Sequence, residues 1–82
     1  MKRDPRQTPQ PQPALGKAIR ALRERCELSQ EDLAPQAGIT PGTLSLIERG
    51  EANPTWGTVR GIATALGVQV SDLAKAAEKL EG

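Results

Sequence analysis

SQEDLAPQAGITPGTLSLIERG, residues 29–50, holds two helix starts separated by one turn. Ser29 followed by Gln30, Glu31 and Asp32 reads as an N-cap with an acidic first turn. Gly38 breaks that pattern. Thr40-Pro41 then begins a second helix, with Thr as cap and Pro at the first helical position. Leu33, Ala34 and Ala37 line one side of the first of these helices, and Leu44 and Ile47 one side of the second. Ile39 lies in the turn, where it can plug the gap.

Two short amphipathic helices joined by such a turn form a helix-turn-helix. Upstream, Leu15, Ala18, Ile19, Leu22 and Cys26 recur at helical spacing, which predicts a helix over Ala14–Glu27. Cys26 is expected to pack as a small hydrophobe near its end, and Leu28 to staple the Ser29 cap against Leu33. The next helix should run from Gln30 to about Ala37 with Pro35 inside it. A proline there has no amide for the Glu31 carbonyl and disfavours helical geometry at Ala34, so its last turn should be distorted.

Downstream, Thr40–Arg49 is the third helix, closed by Gly50, and Glu51–Pro54 is a loop. Thr55 caps a fourth helix, Trp56–Leu66, whose inward face should be Trp56, Val59, Ile62, Ala63 and Leu66. Gly57 and Gly61 match a GxxxG spacing by chance. Gly67 ends that helix, and a fifth should start at Gln69 or Ser71 and reach about Leu80. The expectation is an all-α fold, a compact five-helix bundle over residues 14–80 with the helix-turn-helix at helices two and three. Residues 1–13, MKRDPRQTPQPQP, lack a packable face and read as a disordered basic Pro/Gln-rich arm. Residues 81–82 read as a frayed tail.

Composition narrows the function. With 82 residues, one Trp and no Phe or Tyr, a small core must be filled by Leu, Ile, Val and Ala. No apolar stretch approaches the length of a membrane span, and no secretory signal pattern is present, so no membrane association is expected. A single cysteine and no histidine leave no internal disulfide, no metal site and no cofactor ligand set, and a cytoplasmic setting is the default. Enzymatic chemistry is not expected, for want of a nucleophile–base spacing or a phosphate-binding Gly-Lys motif. The net charge of +1 is unevenly spread. Lys2, Arg3 and Arg6 stand in the arm and Lys17, Arg20, Arg23 and Arg25 in the first helix, whereas residues 29–50 are net acidic.

LGKAIRALRE, LSQEDLA, AGIT, LSLIERGEANPT, IATALGV and SDL together resemble the lambda-repressor-like (Cro/repressor, XRE-type) helix-turn-helix family, over about 60 of the 82 residues. The resemblance implies that the third helix docks in the major groove of double-stranded DNA. It implies that Gln30, beside the Ser29 cap, binds a phosphate and braces the reading helix. Thr40, Pro41, Gly42, Thr43, Ser45, Leu46 and Arg49 would form the outward face of that helix and its start. Asn53 and Thr55 would touch the phosphate backbone. Arg23 and Glu48 match a structural ion pair between helices one and three.

Base reading needs side-chain donors and acceptors on the groove side, and Pro41, Gly42 and Leu46 offer none. Thr43 and Ser45 can hydrogen-bond with little discrimination, and Leu46 can meet a thymine methyl. Firm docking with modest direct readout is therefore expected, leaving specificity to DNA shape, bridging water or dimer spacing. The sequence reading is a DNA-binding transcriptional regulator, a repressor acting as a homodimer. The alternative is a protein–protein module of the same fold, such as an antitoxin or adaptor, which Pro41, Gly42 and Leu46 favour.

Overall fold

Helix boundaries follow the caps written into the sequence. The computed structural model describes residues 12–81. Its elements are α1 (Pro13–Arg25), α2 (Gln30–Gln36), α3 (Pro41–Glu48), α4 (Trp56–Leu66) and α5 (Val70–Glu81). Of the expected arm, residues 1–11 lie outside the described residues, as does Gly82 of the expected tail. The helix-turn-helix at α2–α3 and the five-helix, all-α architecture are as the pattern implies.

Ser29 forms a full capping box: its Oγ accepts from the Asp32 amide at 3.0 Å, and its own amide donates to Asp32 Oδ2 at 2.9 Å. The Ser29 amide, and after it the Ser29 hydroxyl, hold the Asp32 carboxyl below its ordinary pKa of 3.8. Thr40 and Thr55 cap α3 and α4, each accepting from the amide three residues on at 3.1 Å. At α5 the Asp72 carboxylate reaches back to the Gln69 amide at 3.0 Å.

The first four helices end in one construction. After α2, the Gly38 amide bonds the Pro35 carbonyl at 3.1 Å and the Ile39 amide bonds that of Ala34 at 3.0 Å, with Gly38 at φ 77°. Gly50 and Gly67 serve α3 and α4 in the same way. At α1 the left-handed position is Glu27, φ 57°, with Leu28 bonded back to Arg23 at 3.1 Å. This terminus stops α1 at Arg25, short of the expected Glu27.

The core is Ala18 and Ile19 of α1, Leu33 and Ala34 of α2, Leu44 and Ile47 of α3, Ile62 and Leu66 of α4, and Leu73 and Ala77 of α5. Leu28 and Ile39 pack against it from the connecting turns. α1 lies against α5 and α3, while α2 bridges α3 and α4.

Several expectations are corrected. Trp56 is not core; it is 65% exposed. The helical period puts it near the inward face, but it is the first residue of α4, whose backbone meets the end of α2 at Gly61. That is five residues later, or about 7.5 Å further along the axis at ~1.5 Å per residue. Cys26 is also exposed, because α1 terminates before it. α2 carries Pro35 without breaking: the Ala37 amide still bonds the Leu33 carbonyl at 3.1 Å. Only the Glu31 carbonyl forgoes its partner, one turn from the helix end. α5 continues through Glu81.

Gly61 has a packing role that chance spacing did not suggest: a Cβ there would lie 2.9 Å from the Ala37 carbonyl oxygen. Gly16 of α1, unremarked in the sequence reading, matters more. A Cβ at Gly16 would collide with the Ile47 carbonyl oxygen and stand 2.8 Å from that of Glu48. The backbone of α1 rests directly on the end of α3.

Candidate nucleic-acid interface

α3 has eight residues and buries three of them, Leu44, Ile47 and Glu48. Two are apolar and held by the core. The third is a carboxylate, and its position depends on polar partners. Arg23 Nε donates to Glu48 Oε2 at 2.8 Å, and a second guanidinium nitrogen donates to Oε1 at 3.0 Å. Its remaining terminal nitrogen donates to the Leu28 carbonyl at 2.7 Å. Arg23 is 9% exposed and Glu48 6%, so this is a fork-on-fork pair largely removed from water. The hydrogen bonding of Arg23 to Glu48 raises the Arg23 pKa above its ordinary value, against the opposing effect of burial.

Gln30 completes the arrangement. Its Nε2 donates to Glu48 Oε1 at 3.0 Å. One carboxylate on the inner side of α3 thus gathers a side chain from α1 and another from α2. The Gln30 amide oxygen and its second N–H remain available to a ligand. The resemblance implied that Gln30 braces the third helix; the sequence reading did not identify Glu48 as the atom group through which it does so.

The outward face of α3 consists of Gly42, Thr43 and Leu46, with Arg49 at its C-cap, all exposed; Leu46 is 39% exposed. Pro41 and Ser45 flank it, half-buried. The Thr40 hydroxyl donates to the Thr43 hydroxyl oxygen at 3.0 Å, which leaves the Thr43 O–H to donate outward. Arg49 Nε pairs with Glu51 Oε2 at 2.9 Å, both side chains more than half exposed. Such an exposed pair is weak and exchanges readily for a phosphate. Thr55 spends its hydroxyl on α4, accepting from the Thr58 amide and donating to the Thr58 hydroxyl at 3.0 Å. Asn53 is exposed in the loop after α3.

Of the residues anticipated from sequence, Gly42, Thr43, Leu46 and Arg49 therefore share one exposed face. Ser29, Thr40 and Thr55 act as caps around it, Gln30 reaches α3 from behind, and Arg23 and Glu48 are the buried pair.

A short helix clamped on its inner side and exposed along its outer side, in a helix-turn-helix frame, defines a class of protein. The chain belongs to the helix-turn-helix domain family, whose family model matches residues 14–76. The likeness to phage-repressor-type regulators is borne out by its relatives. The immunity repressor of Bacillus phage phi105 is 40% identical over 57 residues, covering 70% of this chain and 40% of that protein. The HTH-type transcriptional regulator DdrOP3 of Deinococcus deserti is 36% identical over 64 residues, covering 78% of this chain and 50% of that protein. The chain thus spans half or less of the length of these curated relatives.

Solved structures agree in fold. The clp gene regulator ClgR of C. glutamicum superposes with a TM-score of 0.83 at 29% identity, covering 92% of this chain and 97% of that one. The restriction-modification controller protein C.AhdI of Aeromonas hydrophila gives 0.72 at 33% identity, covering 74% of this chain and 92% of that one.

Proposed function

We propose that this protein is a DNA-binding transcriptional regulator, a repressor, that docks α3 in the major groove of double-stranded DNA. The observation that carries the reading is the three-part clamp on Glu48. It holds α3 by its inner side and leaves Gly42, Thr43, Leu46 and Arg49 facing outward. The kinship with a phage repressor and other transcriptional regulators supports it.

On DNA, the free groups of the Gln30 amide and the Arg49 guanidinium meet phosphate, together with Asn53 and the α4 start at Thr55. Thr43 offers one hydroxyl donor to a base edge, Leu46 an apolar contact for a thymine methyl, and Ser45 a flanking hydroxyl. With so few readers in one domain, a homodimer on a palindromic site supplies the rest, its half-sites about one helical turn or roughly 34 Å apart. The setting is the cytoplasm. Among the described residues no helix is long and apolar enough to cross a membrane.

One feature favours a second reading. Leu46, exposed at the centre of the α3 face beside donor-free Gly42, suits a protein partner, as in an antitoxin or adaptor. Selection from a randomised duplex library at several salt concentrations separates the two. The regulator reading expects an enriched, palindromic sequence and binding that weakens as salt rises. Weak, salt-insensitive binding with no enriched sequence refutes it. Gln30→Ala should lower affinity across all sequences alike, because it removes a phosphate contact and loosens Glu48. Unchanged affinity contradicts the docking geometry.

A further inference from the structure

Among the described residues Trp56 is the most exposed large apolar side chain, and a tryptophan left mostly in water is unusual in a protein this poor in aromatics. It opens α4 directly after Thr55 and the loop that leaves α3. Arg60 follows four residues on, exposed on the same side of the helix. α4 itself, WGTVRGIATAL, contains no carboxylate, so Arg60 is its only charge. Arg60 has no ion-pair partner among the described residues. An indole and an uncommitted guanidinium thus stand one turn apart on α4, starting at the residue after the Thr55 cap.

A nucleic-acid strand alternates apolar sugar faces with anionic phosphates, which is the pattern this pair complements. We infer that Trp56 and Arg60 seat the sugar–phosphate backbone of a DNA duplex beside α3, with the indole on a deoxyribose and the guanidinium on a phosphate. The inference rests on the proposed docking of α3 and extends the interface onto the flank of α4. Charge favours DNA over a second copy of the chain, since an isologous contact through this flank would set Arg60 near Arg60.

The chain carries its own probe. With one Trp and no Tyr or Phe, its ultraviolet emission comes from Trp56 alone. The full chain is titrated with a mixed-sequence duplex bearing a fluorescein label, and label anisotropy and Trp emission are followed together. Emission should shift in step with anisotropy. Trp56→Ala should weaken binding by about fivefold, as the loss of a modest apolar contact with the sugar, with the salt slope unchanged. Arg60→Gln should flatten the log–log salt slope by about 0.9, the loss of one phosphate contact. Because both side chains are exposed, circular dichroism should show both variants folded, so these effects are not those of unfolding.

If anisotropy reports duplex binding while emission is constant and both variants match the parent, this inference fails and α3 docking stands. If no duplex binds, both fail. If emission shifts with protein concentration in the absence of DNA, Trp56 belongs to a contact between copies, and the inference is overturned.

Discussion

Replacing Glu48 by Leu should cost far more stability than a surface carboxylate, and the structure says why. The substitution removes the acceptor of two guanidinium bonds at 2.8 and 3.0 Å and of the Gln30 bond at 3.0 Å. It strands Arg23, 9% exposed, with only the Leu28 carbonyl as acceptor. Removing one partner of a buried pair costs roughly 3–5 kcal/mol. A chain of 82 residues has a total stability of about 4–12 kcal/mol at ~0.05–0.15 kcal/mol per residue, so the loss is a large share of it. At about 4–8 °C per kcal/mol for a domain of this size, Tm should fall by more than about 10 °C. Urea unfolding followed by far-ultraviolet circular dichroism measures the change. The decisive arm is the cycle with Arg23→Met and the double variant. Replacing both charges together should recover most of the loss, because no ion is then left buried. A single-variant loss below about 1 kcal/mol, the range of exposed pairs, refutes the reasoning, as does a double variant equal to the sum of the singles.

Three further outcomes test other parts of the fold. Glu27→Gly should raise the urea midpoint, since glycine relieves a left-handed position that costs an L-residue about 1–2 kcal/mol; a lower midpoint contradicts the assigned terminus of α1. Gly16→Ala should destabilise by roughly 1–3 kcal/mol despite the better helix propensity of alanine, because its methyl meets the α3 carbonyls, whereas Gly57→Ala, where only the Thr55 hydroxyl comes within 4 Å at 3.9 Å, should be neutral or stabilising. Acid should act through Asp32: its folded pKa lies below the ordinary value, so its contribution is fully present above about pH 4 and is lost as pH falls through the folded value. Asp32→Asn should flatten the stability profile in that acid range, and an unchanged profile would reject the capping box as its cause.

What was legible in the sequence was local chemistry. Ser29, Thr40 and Thr55 declare three helix starts by side-chain type alone, and Gly38, Gly50 and Gly67 declare three ends. The buried face of α3 was equally plain in Leu44 and Ile47. The misreadings arise where burial depends on how far one helix overlaps another. Period alone cannot say that the first turn of α4 overhangs its neighbours, so Trp56 was placed inside. Nor could it say that α1 would end on a left-handed Glu27, which leaves Cys26 exposed. Gly16 was missed because a glycine in a helix shows its purpose only when the partner backbone is known. At the interface, the residue types were legible, but the bond from Gln30 to Glu48 depends on a tertiary distance.

That bond and its companions have a consequence for how such a domain can change. Between its two caps, what fixes α3 lies on its inner side, in Leu44, Ile47 and Glu48. Little structural is asked of the side chains at 42, 43 and 46, beyond the bond that Thr43 accepts from the Thr40 hydroxyl. Those positions form an exchangeable surface whose residues can be rewritten without renegotiating the fold. A lineage, or a designer, can re-address this domain to a new partner one outward residue at a time while its scaffold stays the same.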